Sequence, residues 1–307
     1  MNTLKPKPLH KGATIAVVAP SRWPNPERLA RGVKALEDKE FNVKVHPQCH
    51  LRFHQSAGTH AQKLAALHEV FADPTIDAIW CAAGGNRTLH LLDGLDFELI
   101  RQNPKPLIGF SDITALLSAI TQKTGLVTFH GPVVALSDMM FPHVLDNALD
   151  VLYGQVMTYP LVGAEILTPG TATGQLMGGN LCLLTNLLGT EFAPDFRGKI
   201  VFVEDQTEPI RNLDRMLLKL RRSGKLDGAA AILFGDFTEM TDTEAVPFGL
   251  TVRELVLEHV EGLNIPIVMN APFGHGAVLP TFPLGVQAKL TASGPTPTLQ
   301  LLESATR

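Results

Sequence analysis

Along its first half the chain alternates short apolar runs with longer stretches whose apolar positions recur at helical spacing. The runs predict strands at residues 15–19, 42–46, 78–82 and 107–110. The periodic stretches predict helices at 26–39, 59–72, 91–101 and 112–122, the second of them carrying Leu64, Leu67 and Val70 as its apolar positions. Strand and helix taking turns in this way predicts a mostly parallel sheet covered by helices, an α/β fold.

The pattern changes over residues 153–174, where Pro160, Pro169 and several glycines interrupt any period. A boundary is expected there: an α/β domain at 1–155, a linker at 156–172 and a second domain at 173–307. The second half opens with Gly178-Gly179-Asn180 and a short apolar helix at 181–188. A strand at 199–203 ends in Glu204-Asp205, and a helix at 209–222 puts Ile210, Leu213, Leu217 and Leu220 on one face. Further strands are expected at 229–234 and 265–269, a helix at 251–261, and a hairpin at 286–292 and 298–302.

Composition narrows the function classes. The 307 residues carry a net charge of −4, with 45% hydrophobic and 18% charged residues, an ordinary globular balance. Lysines and arginines are scattered, so no nucleic-acid partner is expected. Cys49, Cys81 and Cys182 are far apart and form no C-x-x-C pair, which points away from a disulfide framework or a zinc site. A reducing compartment fits, and the cytoplasm is the expected location. Lys5, Lys7 and Lys11 precede the apolar run 13–19, but that run is short and rich in β-branched residues, which suits a buried first strand better than a leader. No stretch approaches the roughly 20 apolar residues of a membrane span.

Four local patterns could carry chemistry. In Pro106-Leu107-Ile108-Gly109-Phe110-Ser111-Asp112-Ile113-Thr114 a buried strand runs straight into a helix with a serine at the junction. Two readings are open: a nucleophile elbow, or a serine that only caps the helix. Gly84-Gly85-Asn86-Arg87 also follows a strand; its N–H groups could bind an oxyanion, its arginine a carboxylate, or it is an ordinary tight turn. Glu204-Asp205 closes a strand, where α/β proteins build sites. Gly274-His275-Gly276 sets an imidazole in an adaptable loop. No H-E-x-x-H or paired metal spacing occurs, so no metal is expected; His54 and His60 read as solvated. One serine, one histidine and one acid could together form a triad, the histidine acting as general base on the weakly nucleophilic hydroxyl.

These motifs, in this order and spacing, resemble the bacterial LD-carboxypeptidases (muramoyltetrapeptide carboxypeptidases), serine peptidases of peptidoglycan recycling, and their relatives of microcin C immunity. The likeness runs from 15–21 and 80–85 through 108–114, His130-Gly131-Pro132 and Gly178-Gly179-Asn180-Leu181 to 201–209, Arg215-Met216-Leu217, Phe273-Gly274-His275 and Leu284-Gly285. It implies Ser111 as nucleophile, His275 as base and Glu204 as the acid behind it, with the N–H groups of Gly85 and Asp112 as oxyanion hole. It also implies a flavodoxin- or amidotransferase-like first domain, a β-barrel-like or swivelling second domain, and a site in the groove between them. The implied reaction releases terminal D-Ala from a muropeptide tetrapeptide without any cofactor, and the likeness allows a homodimer. Asn86, Arg87 and Asn180 are the candidate substrate contacts. Many family members carry G-G-Y-G where this chain has Gly84-Gly85-Asn86-Arg87, which opens the question of substrate preference. Two alternatives stand beside this reading: an immunity-type peptidase acting on a peptidyl or aminoacyl nucleotide, and a non-catalytic binding homologue. Few aromatic residues over 236–247 weigh against adenine stacking.

Overall fold

The structure, a computed structural model, describes residues 2–136, 143–243 and 245–307. The chain forms two compact units. One comprises the chain up to Val156 together with Pro280–Val286 and Glu303–Arg307, and the other comprises Met157–Leu279 and Gln287–Leu302.

The first unit contains β1 (Thr14–Val18), α1 (Pro26–Glu37), β2 (Asn42–Val45), α2 (His60–Ala72), β3 (Ala78–Cys81), α3 (Phe97–Gln102), β4 (Leu107–Gly109), α4 (Thr114–Thr124), β5 (Thr128–His130) and α5 (Val144–Leu152). Helix starts follow the capping chemistry in the sequence. Asn25 accepts from the Arg28 N–H ahead of Pro26, and Thr59 and Gln62 close a reciprocal capping box on α2. The five strands pair in parallel in the order β2-β1-β3-β4-β5, a doubly wound arrangement in which ligands bind beyond the carboxyl ends of the strands. Every residue of β3, β4 and β5 is buried, as a sheet covered on both faces requires.

The single helix expected at 91–101 is two pieces, a 3-10 segment at Thr88–Gly94 and then α3. Asp96 separates them because its carboxylate accepts from the Leu99 N–H at 2.8 Å and starts a new helix.

The second unit contains β6 (Thr158–Pro160), β7 (Glu165–Thr168), β8 (Gly170–Asn180), α6 (Leu181–Leu187), β9 (Lys199–Gln206), α7 (Ile210–Arg222), β10 (Ala231–Thr238), α8 (Val252–Val260) and β11 (Ile267–Met269). After β12 (Phe282–Leu284), which belongs to the first unit, it closes with β13 (Gln287–Ala292) and β14 (Thr298–Leu301). Its eight strands pair in the order β6-β14-β13-β8-β9-β10-β11-β7. The run β8-β9-β10-β11 is parallel and the flanking pairs are antiparallel, so the sheet is mixed. The expected apolar face of α7 is buried through Ile210, Leu213, Leu217 and Leu220.

Two expectations about organisation are corrected. The stretch 156–172 is not a free linker, because it supplies β6, β7 and the start of β8. Pro160 is tolerated because β6 is an outer strand, where a missing N–H leaves no ladder bond broken. Nor does 173–307 fold as one body. Phe282-Pro283-Leu284 pairs antiparallel with β5 at the edge of the first sheet, and Glu303 forms an ion pair with Lys5 at 2.7 Å.

Candidate active site

The carboxyl ends of three neighbouring strands carry the first unit's candidate residues. Ser21 follows β1, Gly84–Arg87 follows β3, and Ser111 follows β4. Ser111 begins a single 3-10 turn, Ser111–Ile113, that leads directly into α4. Its φ is +64°, a left-handed conformation that costs a residue with a Cβ about 1–2 kcal/mol. The turn and α4 both lack a side-chain cap bond, so the reading of Ser111 as a helix cap is set aside. Close packing holds the strained residue. A Cβ on Gly84 would lie 3.0 Å from the Ser111 Cβ, and one on Gly109 would lie 2.6 Å from Ile113 Cγ2. The glycines thus let strand, turn and helix fold back on one another, which is the geometry of a nucleophile elbow.

The loop after β3 is exposed at Gly85, Asn86 and Arg87. The Asn86 amide donates to Gln55 Oε1 at 3.2 Å. Arg87, itself at φ +81°, has a guanidinium nitrogen 3.0 Å from His60 Nε2. That ring nitrogen can accept only if it is unprotonated. Burial first, then the neighbouring His90, Arg87 and Lys63, hold the His60 pKa below its usual range, consistent with a neutral ring. His60 stacks on His90 at 4.8 Å, so it is a support for Arg87 rather than the solvated residue expected.

Asp112, the residue after the candidate nucleophile, is buried. Its Oδ2 accepts from the Ser21 hydroxyl at 2.6 Å and from the Thr88 N–H at 3.1 Å, while Thr88 Oγ1 donates to its carbonyl at 2.5 Å. Lys63, fully buried on α2, donates to the Ser21 carbonyl at 3.3 Å. The sequence motifs single out none of Ser21, Lys63 and Thr88. A signal for Lys63 exists: it shares a helical face with Leu67 and Val70, where a charge is out of place. Leu64, expected in the core, is only partly buried.

In the second unit, β9 runs beyond the expected strand and places Glu204 and Asp205 inside it. Glu204 is fully buried, and its Oε2 lies 2.6 Å from His275 Nδ1. A carboxylate there favours the imidazole tautomer with the proton on Nδ1, which leaves Nε2 unprotonated. The loop carrying His275 is pinned to β10 by two bonds, Ala271 N–H to the Phe234 carbonyl at 3.0 Å and Asp236 N–H to the Phe273 carbonyl at 2.8 Å. Gly274, at φ +125°, lets the loop close on the acid, since a Cβ there would lie 2.9 Å from the Glu204 Cβ. Asp236, also unforeseen, accepts from the Gly276 N–H, and burial raises its pKa.

Asp205 faces away from that pair chemically. It accepts from Asn180 Nδ2 at 2.8 Å and from the N–H groups of Cys182 and Gln206, both at 2.9 Å. Burial pushes its pKa up to about 6. Asn180, expected as a substrate contact, is 4% exposed, and its Oδ1 caps α6 by accepting from Leu183. Its amide is therefore committed to positioning Asp205 and the helix.

Burial pushes the thiols of Cys49 and Cys182 up to about 12 and that of Cys81 higher still, so none is a ready thiolate nucleophile. Among the described residues no group of three His, Cys, Asp or Glu side chains is placed to hold a metal. No helix among them is long and apolar enough to cross a membrane.

The chain is similar to known proteins in sequence and in fold. Residues 15–131 match the family description "LD-carboxypeptidase N-terminal domain", and residues 173–290 match "LD-carboxypeptidase C-terminal domain". A Bacillus subtilis protein named "Probable murein peptide carboxypeptidase" is 36% identical over 96% of this chain and 94% of its own. The solved muramoyltetrapeptide carboxypeptidase of Oxalobacter formigenes superposes with a TM-score of 0.85 at 27% identity, over 94% of this chain and 98% of that one. An MccF-like protein of Bacillus anthracis gives a TM-score of 0.88 at 28% identity, over 98% and 100%. With both halves matched in order and a full-length relative above 30% identity, the chain belongs to the LD-carboxypeptidase family of serine-type hydrolases.

Proposed function

We propose that this chain is a carboxypeptidase that cuts the L,D-peptide bond releasing terminal D-Ala from muropeptide tetrapeptides, with Ser111, His275 and Glu204 as its triad. The observation that carries the reading is the left-handed backbone of Ser111 at a strand–helix junction, a strain that a merely structural serine would not need. In this reaction His275 takes the Ser111 proton as the hydroxyl attacks the scissile carbonyl. Glu204 holds the imidazole in the required tautomer and stabilises the imidazolium. The N–H groups of Gly85 and Asp112 receive the oxyanion, and loss of one such donor costs about 2.7–4 kcal/mol of barrier. His275 then protonates the leaving amine of D-Ala, and water attacks the resulting ester by the same base.

Arg87 is assigned to the substrate's terminal carboxylate, which its planar fork fits, with Asn86 beside it. Asn180 is given no substrate contact, because its amide holds Asp205 and caps α6. The reading places the enzyme in the cytoplasm, in keeping with its free thiols. By likeness to the family it also takes the enzyme as a homodimer, which light scattering would check.

The test is turnover of a muropeptide tetrapeptide by wild type and Ser111→Ala, read as released D-alanine. Loss of nearly all activity in the variant is expected, because triad members act as a unit. Equal rates would remove Ser111 from the mechanism. Cleavage of an aminoacyl nucleotide in place of the tetrapeptide would move the chain to the immunity-type reading, for which the likeness to the MccF-like structure is the ground.

A further inference from the structure

The carboxylate of Asp112 has no part in the triad chemistry, yet the fold surrounds it with matched partners. Asp112, Ser21, Thr88 and Lys63 are each at most 3% exposed, although all four are polar. Burial on this scale is costly unless the groups satisfy one another. They do so across three chain segments that leave the sheet at adjacent strands. Ser21 comes from the loop after β1, Thr88 from the segment after β3, and Asp112 from the turn after β4.

The bonds converge on two places. One is residue 112 itself, gripped at the carboxylate by the Ser21 hydroxyl and the Thr88 N–H and at the carbonyl by the Thr88 hydroxyl. Holding the side chain and the carbonyl of one residue fixes its Cα and so the position of its own backbone nitrogen. The other place is the Gly85 loop. The Ser21 hydroxyl also lies 3.1 Å from the Asn86 carbonyl, and the Arg22 N–H donates to the Gly84 carbonyl at 3.4 Å. Ser21 therefore touches both segments that carry the oxyanion donors. Lys63 donates to the Ser21 carbonyl. Burial raises the Asp112 pKa, and the bonds from Ser21 and Thr88, with the Lys63 charge behind them, oppose that rise.

We propose that Asp112, Ser21 and Thr88 form a positioning network, backed by Lys63, that holds the Asp112 and Gly85 N–H groups in the register needed to receive the oxyanion. The inference rests on Ser111 being the nucleophile. It gives the aspartate after the serine two roles, since its backbone donates and its side chain aims that donor. Misplacing a preorganised donor by about 1 Å can cost on the order of a hundredfold in rate. Loss of the network thus acts chiefly on the transition state, through the two oxyanion donors.

The experiment uses the full chain and a small probe that needs the oxyanion hole but not the natural substrate. Diisopropyl fluorophosphate labels an activated serine with loss of fluoride, and the label on Ser111 is followed by mass spectrometry. Ser21→Ala and Asp112→Ala are expected to be labelled about tenfold to a hundredfold more slowly than wild type. Asp112→Asn, whose amide oxygen can accept both bonds, should be labelled faster than Asp112→Ala. On the tetrapeptide, kcat should fall in the same proportion, by far more than KM rises. Thermal unfolding is recorded for each variant; should Asp112→Ala fail to fold, Ser21→Ala, which deletes one hydroxyl, decides. Labelling of Ser21→Ala within twofold of wild type, or losses that merely follow the unfolding temperature, would overturn the network. If wild type is labelled at Ser111 but releases no D-alanine, the substrate reading falls and the network stands. If Ser111 is not labelled at all, both fall.

Discussion

His275 Nδ1 lies 2.6 Å from a Glu204 carboxylate oxygen that has no access to solvent, so imidazole and acid form a fixed dyad within the second unit. The other oxygen, Oε1, is buried with no hydrogen-bond partner among the described residues. Glu204→Gln keeps the shape but can present an N–H to His275 and favour the wrong tautomer. On the proposed mechanism kcat should drop about a thousand- to ten-thousandfold with KM little changed, measured by D-alanine release. A drop below tenfold would mean that Glu204 does not set the tautomer of His275.

The strain at Ser111 separates stability from function. Glycine is at ease at φ +64°, so Ser111→Gly should unfold at higher denaturant, with a gain of about 1 kcal/mol, while losing activity. Urea titrations of wild type and variant read this directly. A destabilised variant would show that the serine side chain contributes packing that outweighs its backbone cost.

Arg87 makes a prediction about substrate chemistry. If its guanidinium holds the terminal carboxylate, Arg87→Ala should raise KM for the tetrapeptide about tenfold to a hundredfold. Replacing the substrate's carboxylate by an amide should hurt wild type in the same way and leave the variant unaffected. Additive losses would place Arg87 elsewhere in recognition.

Asp205 gives stability a definite dependence on pH. Its pKa rises from 3.8 to about 6 on folding, with burial the largest cause. The folded state therefore binds the proton more tightly. The resulting stabilisation is complete below about pH 3.8 and is lost as pH rises through about 6. Asp205→Asn adds a pH-independent cost where its amide faces the Cys182 N–H, but it removes this slope. The unfolding free energy of wild type should fall relative to the variant by up to about 3 kcal/mol between pH 4 and pH 7. Parallel curves would exclude Asp205 as the titrating group.

Much of the fold is legible in the residues alone. The alternation of apolar runs and helical periods predicts the parallel strands β1 to β4, and the motif order carries the family. The strand–serine–helix junction is visible too, but whether Ser111 is cap or nucleophile depends on a backbone angle that no spacing encodes. Short strands are the blind spot. Thr128–His130 and Phe282–Leu284 are too brief to show a period, and their pairing joins segments about 150 residues apart. Asn180 misleads because a buried cap and a ligand contact use the same residue type. Lys63 hides because charged residues on helices are usually solvated.

The return of Phe282–Leu284 to the first sheet has a practical outcome for anyone dividing the gene. A fragment ending near residue 156 would leave β5 as a bare sheet margin, with its N–H and carbonyl groups open to strand addition from other chains. Such a half is expected to clump on expression, and supplying a peptide that spans 280–286 should restore its solubility. Although the family is described as two successive domains, a cut between them would take an edge strand away from the first sheet.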